Sequence, residues 1–212
     1  LLQDAHVTDL EVSQADAALV YAATHNQGVV RTTDGGKTWE SINQGLPNRP
    51  ALSLALNPAD HQILLAGFSR AGLYRSQDGG ATWKVAAKGL PPEANVTSLV
   101  FDPANPQVVY AADSQSGVYR SENGGESWKV INNGLRTRAV NALAISADGL
   151  HLYAATEGEG VFRLDLNGQA PEAAPAPQVP SSAEAGIKVD GSPQDWAGRV
   201  VLQADPVADG EA

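Results

Sequence analysis

The 212-residue sequence predicts an all-β fold: a partial β-propeller of about four blades, each of four antiparallel strands. A Pro/Ala-rich linker and a short β segment should follow it. Three observations carry this. The phrase TTDGGKTW at residues 32–39 returns as SQDGGATW at 76–83 and SENGGESW at 121–128, with tryptophans 44 and 45 residues apart. Apolar residues alternate in short runs, and Pro or Gly interrupts them every ~8–12 residues. No stretch has the 3.6-residue period of a helix. Four short strands repeated every ~40–50 residues are the pattern of propeller blades.

The third unit shows the elements in order. Val96–Phe101 alternates as a first strand, and a turn of Asp, Pro and Asn spans Asp102–Gln107. The second strand is expected at Val108–Ala112, the third at Val118–Ser121 after a loop holding Gly117, and the fourth around Trp128–Ile131. The same order starts at Val7, Ala51 and Val140. The last unit has its Gly160–Arg163 segment but no copy of the phrase after it. Leu1 aligns with Leu46, Leu90 and Leu135, which end the other units. With no methionine in the sequence, this reads as part of a longer chain that begins at a blade boundary. Residues 1–166 are thus expected as blades, 167–186 as linker, and 187–212 as the start of a second β domain or a docking segment.

The recurring phrase resembles the Asp-box, or BNR repeat, which sialidases, xyloglucan-degrading glycosidases, sortilin-like receptors and photosystem II assembly factors share. The resemblance implies a propeller and leaves function open. Turn chemistry accounts for each box residue. Asp34, Asp78 and Asn123 can accept bonds from turn amides, and Gly36, Gly80 and Gly125 permit positive φ. Trp39, Trp83 and Trp128 should bury a large ring at the blade surface. One carboxylate per blade spreads these groups around the ring, so they are expected to be structural rather than a metal or sugar site.

Composition removes several classes of function. With no cysteine there are no disulfides, thiolate metal sites or cysteine nucleophiles. A net charge of −10 argues against nucleic acid as the partner. No apolar run reaches the ~18 residues of a membrane-spanning helix. His6, His25, His61 and His151 are scattered, and no phosphate loop or dinucleotide fingerprint occurs, so neither metal nor cofactor is expected.

Blade connections alternate between two faces. The box hairpins should lie with the first-to-second turns, and the second-to-third loops with the connections between blades. That second face varies among the units, as loops that carry function do. It gathers His25, Arg49, Arg70, Arg136 and Arg138, the candidates for binding a protein or glycan partner. Arg31, Arg75, Arg120 and Arg163 recur at one repeat position and are expected to be structural. A hydrolase would need two carboxyl groups across a cleft. Asp113, with Thr24, Phe68 and Thr156 as its counterparts, is the candidate, and Glu157 and Glu159 are its possible partners.

Residues 167–186 hold four Pro and six Ala, the composition of an extended linker. The pattern from Val189 to Trp196 resembles the opening of a family 9 carbohydrate-binding β-sandwich. Function is expected to be non-catalytic binding or assembly in an exported bacterial protein, periplasmic, cell-surface or secreted. A fragment of an Asp-box glycoside hydrolase and a photosystem-assembly-type factor are the alternatives. A second chain completing the propeller is a further possible partner.

Overall fold

Alternating runs with polar turns between them form antiparallel sheets, and the computed structural model describes these at residue 2 and residues 4–166. The linker and tail expected at 167–212 lie outside the described residues. Blade 1 comprises β1 (Val7–Val12), β2 (Val20–Thr24), β3 (Gly28–Thr32) and β4 (Glu40–Ser41). Blade 2 comprises β5 (Ala51–Leu56), β6 (Leu64–Phe68), β7 (Gly72–Ser76) and β8 (Lys84–Val85). Blade 3 has β9 (Val96–Phe101), β10 (Val109–Asp113), β11 (Gly117–Ser121) and β12 (Lys129–Val130). Blade 4 has β13 (Val140–Ile145), β14 (His151–Thr156) and β15 (Gly160–Asp165). Each sheet is ordered as in the sequence, with every pairing antiparallel. The repeat is therefore a meander, and the architecture is that of propeller blades.

Two strand expectations need correction. The second strand of blade 3 is Val109–Asp113, displaced by a residue, and the third is Gly117–Ser121, which begins one residue earlier than expected and ends at the same place. The fourth strands are only two residues long, so β12 omits Trp128 and Ile131. Trp128 turns towards the preceding blade, where its amide donates to the Lys88 carbonyl and its indole N–H to the Ala86 carbonyl. A residue committed to the neighbouring sheet leaves its own ladder.

The core is a series of sandwiches between consecutive blades. Tyr21, Ala23, Val29 and Ile42 of blade 1 pack with Leu54, Leu64, Phe68 and Trp83 of blade 2. Leu65, Leu73 and Ala86 meet Leu99, Val109, Tyr119 and Trp128 in the same way. Tyr110, Ala112 and Val118 then meet Leu143, Leu152 and Ala154. First strands of adjacent blades are joined through side chains. Thr8 Oγ1 donates to the Ala51 carbonyl, Ser53 Oγ to Val96, and Thr97 Oγ1 to Val140. Asp9 Oδ2 and Ser98 Oγ accept from the amides of Leu54 and Leu143.

Trp39 departs from its expected role. Trp83 and Trp128 are 4% exposed, whereas Trp39 is half-buried and its indole donates to Gly36 of its own turn. The Asp-box tryptophan packs on the blade before it, and no described blade precedes blade 1. Tyr153 differs from Tyr21 and Tyr110 for the converse reason. It is 36% exposed because no described blade follows blade 4.

Glu11 stands where the other blades have Ala55, Val100 and Ala144. Burial, and then the charge of Asp9, push its carboxyl up to about 7. Folding therefore takes up a proton between about pH 4.5 and 7, and stability falls as pH rises through that window. The penalty is complete above about pH 7, where the shift corresponds to about 3 kcal/mol. Glu11→Gln should therefore raise the unfolding free energy at pH 8 and leave it nearly unchanged at pH 4.5. Urea titrations at the two pH values check this, and equal effects at both would count against it.

Candidate functional site

Every blade ties its second-to-third loop to the connection that enters it. The amides of His25, Ser69, Ser114 and Glu157 donate to the carbonyls of His6, Pro50, Asn95 and Ala139. The loops and connections thus share one face. On the opposite face, the amides of Gly35, Gly79 and Gly124 in the boxes bond to Ala18, Gln62 and Gln107 in the first-to-second turns. There Asp34 accepts from the amide and hydroxyl of Thr38, which hold its carboxyl well below the usual carboxylate range. Asp78 is lowered to about 2 by the hydroxyl and amide of Thr82 and by Ser76. Asn123 makes the same turn with Ser127. The glycine pairs adopt positive φ at both members, 64–70° at the first and 88–89° at the second. Only the second was expected from the sequence.

The arginines on the loop face have different surroundings. Arg70 pairs with Glu93 at 2.9 Å. Arg136 lies 3.4 Å from Glu159 and 5.7 Å above the Phe162 ring. Arg138 donates to the carbonyls of Leu135 and Asn132. Arg49 makes no ion pair among the described residues.

Arg49 and His25 meet in a groove of about 420 Å³ on blade 1, lined by Asn26, Gln27, Gly28, Asn43, Leu46, Pro47, Asn48 and Pro50 as well. Local chemistry fixes its walls. Thr24 Oγ1 accepts from the Gln27 amide and donates to the Gly28 carbonyl, each at 2.8 Å, which caps the tight loop. Asn43 accepts from the Val29 amide and donates to the Gln27 carbonyl, clamping that loop to the segment after β4. Two prolines stiffen the other wall. Asn43 was not singled out by sequence reasoning. The repeat does hold a signal for it, since Asn132 bonds the Val118 amide and Ser116 carbonyl in the same way, with Ala87 between them. A second hollow of about 250 Å³ lies beside β12 and contains Arg120, Lys129 and Glu122. Its cations already pair with Glu122.

Among the described residues no carboxylate lines the blade 1 groove. Its lining holds the Arg49 guanidinium and the His25 imidazole together with Leu46, Pro47 and Pro50, a combination suited to gripping a carboxylate. Asp113 is 2% exposed and its oxygens are occupied. Oδ1 accepts from the Gln115 and Ser116 amides and the Ser116 hydroxyl, and Oδ2 from the Asn95 amide. It caps a loop and fastens that loop to the incoming connection. Glu157 is exposed, and Glu159 is turned to Arg136. Among the described residues no three His, Cys, Asp or Glu side chains are grouped to hold a metal. No described helix is long and apolar enough to cross a membrane.

Residues 30–45 match the BNR/Asp-box repeat. No curated protein matches the chain in sequence. Among solved structures, the GH74 enzyme of Niastella koreensis is similar at 24% identity and a TM-score of 0.61, over 76% of this chain and 28% of that one. An ancestral GH74 enzyme is 26% identical with a TM-score of 0.59, over 71% and 22%. YCF48 bound to a D1 peptide is 18% identical with a TM-score of 0.59, over 80% and 54%. The chain thus spans 22–28% of the two GH74 enzymes and 54% of YCF48.

Proposed function

We propose that this chain, a run of BNR/Asp-box propeller blades, is a non-catalytic binding or assembly module of an exported protein, and that its blade 1 groove captures an acidic group on a protein or glycan partner. The observation that carries the reading is the guanidinium of Arg49, without an ion pair among the described residues, in a groove that it lines with His25 and no described carboxylate. The other candidate arginines already have partners within the fold, so they offer less to a ligand. YCF48, with the same fold, is described bound to a peptide, and peptides are therefore the first ligands to try.

The second reading is a glycoside hydrolase fragment, favoured by the likeness to GH74 enzymes. Its carboxylate of choice, Asp113, is committed as a loop cap, and a general acid or base needs a free oxygen facing substrate. One set of assays separates the two. The wild type and Arg49→Ala are tested on arrays of acidic and neutral peptides and of sialylated and neutral glycans. Capture of acidic members by the wild type, weakened about tenfold or more in Arg49→Ala, is the expected result. Release of reducing ends from xyloglucan by the wild type, lost in Asp113→Asn, would establish the hydrolase instead.

A further inference from the structure

Arg70 differs from the other loop-face arginines in its backbone. Its φ is +53°, left-handed geometry that L side chains rarely adopt, and among the described residues Asp4 is the only other non-glycine there. At the same point of the second-to-third loop, blade 4 has Gly158 at φ +79°, and Asn26 and Gln115 avoid the conformation. Neighbouring groups hold Arg70 in it. The Arg70 amide and the Ser69 hydroxyl donate to Asn95 Oδ1 at 2.9 and 3.2 Å, and the Asn95 amide donates to the buried Asp113 carboxylate. Enforced strain of this kind collects where a side chain is used.

The Arg70 side chain is 65% exposed and ends 2.9 Å from Glu93, itself 70% exposed. Glu93 lies in the connection Leu90–Asn95, one residue longer than Leu46–Pro50 and Leu135–Ala139, and two prolines precede it. An exposed pair of this kind is weak and yields to a competing carboxylate. The loop that carries Arg70 is fastened to the wall of the blade 1 groove, because the Ser69 amide donates to the Pro50 carbonyl at 3.0 Å. Pro50 follows Arg49, so the two arginine backbones lie within about 15 Å of one another, a span that an extended peptide covers in about four residues.

Building on the blade 1 groove as a site for acidic groups, and resting on that reading, we infer that Arg70 is a second anchor for its ligand and that Glu93 occupies this anchor as an internal stand-in for a ligand carboxylate. The ligand so selected is an extended peptide with two acidic side chains about two to four residues apart, one for Arg49 and one for Arg70. Among the described residues no Phe, Tyr or Trp lines the groove to stack on a sugar ring, which favours a peptide over a glycan. A ligand with one carboxylate gains nothing from Arg70 and leaves Glu93 in place. Glu93 lowers the apparent affinity for the doubly acidic ligand by the fraction of molecules in which Arg70 is free.

The test is fluorescence anisotropy of the full chain with two peptides capped at both ends, one holding a single glutamate and one holding two glutamates three residues apart. The wild type should bind the second more tightly. Glu93→Gln should tighten that peptide about two- to fivefold, the strength of an exposed pair, and leave the single-glutamate peptide unchanged. Glu126→Gln, the same change of charge on the box face, should alter neither. Arg70→Gly, which suits the left-handed backbone, should reduce the two-glutamate peptide to the affinity of the other and abolish the effect of Glu93→Gln. Equal tightening of both peptides by Glu93→Gln, or an unchanged two-glutamate affinity in Arg70→Gly, would overturn the inference. So would a preference for a sialylated glycan over both peptides. Arg49→Ala separates the two readings. If it weakens both peptides while the Glu93 and Arg70 variants change nothing, only the role of Arg70 fails; if it leaves both unchanged, or the wild type binds neither, the groove reading fails as well.

Discussion

Trp128→Ala is expected to lower the unfolding free energy by about 3–5 kcal/mol, among the largest effects open to a single substitution here. The ring is 4% exposed between blades 2 and 3, inside the cluster of Leu65, Leu73, Leu99 and Tyr119. Its removal opens a cavity and leaves the Ala86 carbonyl without its indole donor at 2.9 Å. Trp39→Ala changes the same box residue at a site with no described blade in front, and should cost less than half as much. Urea denaturation of the two variants checks this ranking. Equal losses would show that the tryptophan acts within its own turn rather than between blades.

The second large effect falls on a glycine outside the box. Gly89 has φ +98°, and a methyl carbon there would stand 2.1 Å from the Trp128 carbonyl oxygen. Backbone on both sides leaves nothing flexible to move. Gly89→Ala should therefore cost about 3 kcal/mol or more, from a left-handed non-glycine conformation plus overpacking. Gly134 occupies the same repeat position at φ +85° with no atom within 4 Å. Gly134→Ala should carry only the conformational cost of about 1–2 kcal/mol. Thermal melts of the pair measure the contribution of the box tryptophan in the next blade, and equal Tm losses would refute it.

The blades were legible because their periodicities are local. Alternation marks the strands, and the box phrase marks a hairpin whose Asp or Asn side-chain bonds span four residues or fewer, such as Thr38 to Asp34. What lay between blades was harder to read. The repeat aligned Trp39 with Trp83 and Trp128, but burial depends on a neighbour some 40 residues away, so Trp39 differs from the other two. The same holds for Arg31 and Arg163, one chemical group with two partners. At the loop face, the sequence grouped five candidates by which connection they occupy. Pairing then separated Arg49 from Arg70, Arg136 and Arg138, and such pairing needs distances that a linear order does not contain. Asn43 was passed over because Ala87 interrupts its recurrence.

The side-chain bonds that link the first strands span 43–45 residues each: Thr8 to Ala51, Ser53 to Val96, Thr97 to Val140, Asp9 to Leu54 and Ser98 to Leu143. None skips a blade. Cohesion along the chain is therefore a sum over adjacent pairs, as in a one-dimensional lattice. Among the described residues, blades 2 and 3 carry such bonds on two sides and blades 1 and 4 on one. Loss of one such bond should therefore speed amide exchange in the two blades it joins and leave the others unchanged.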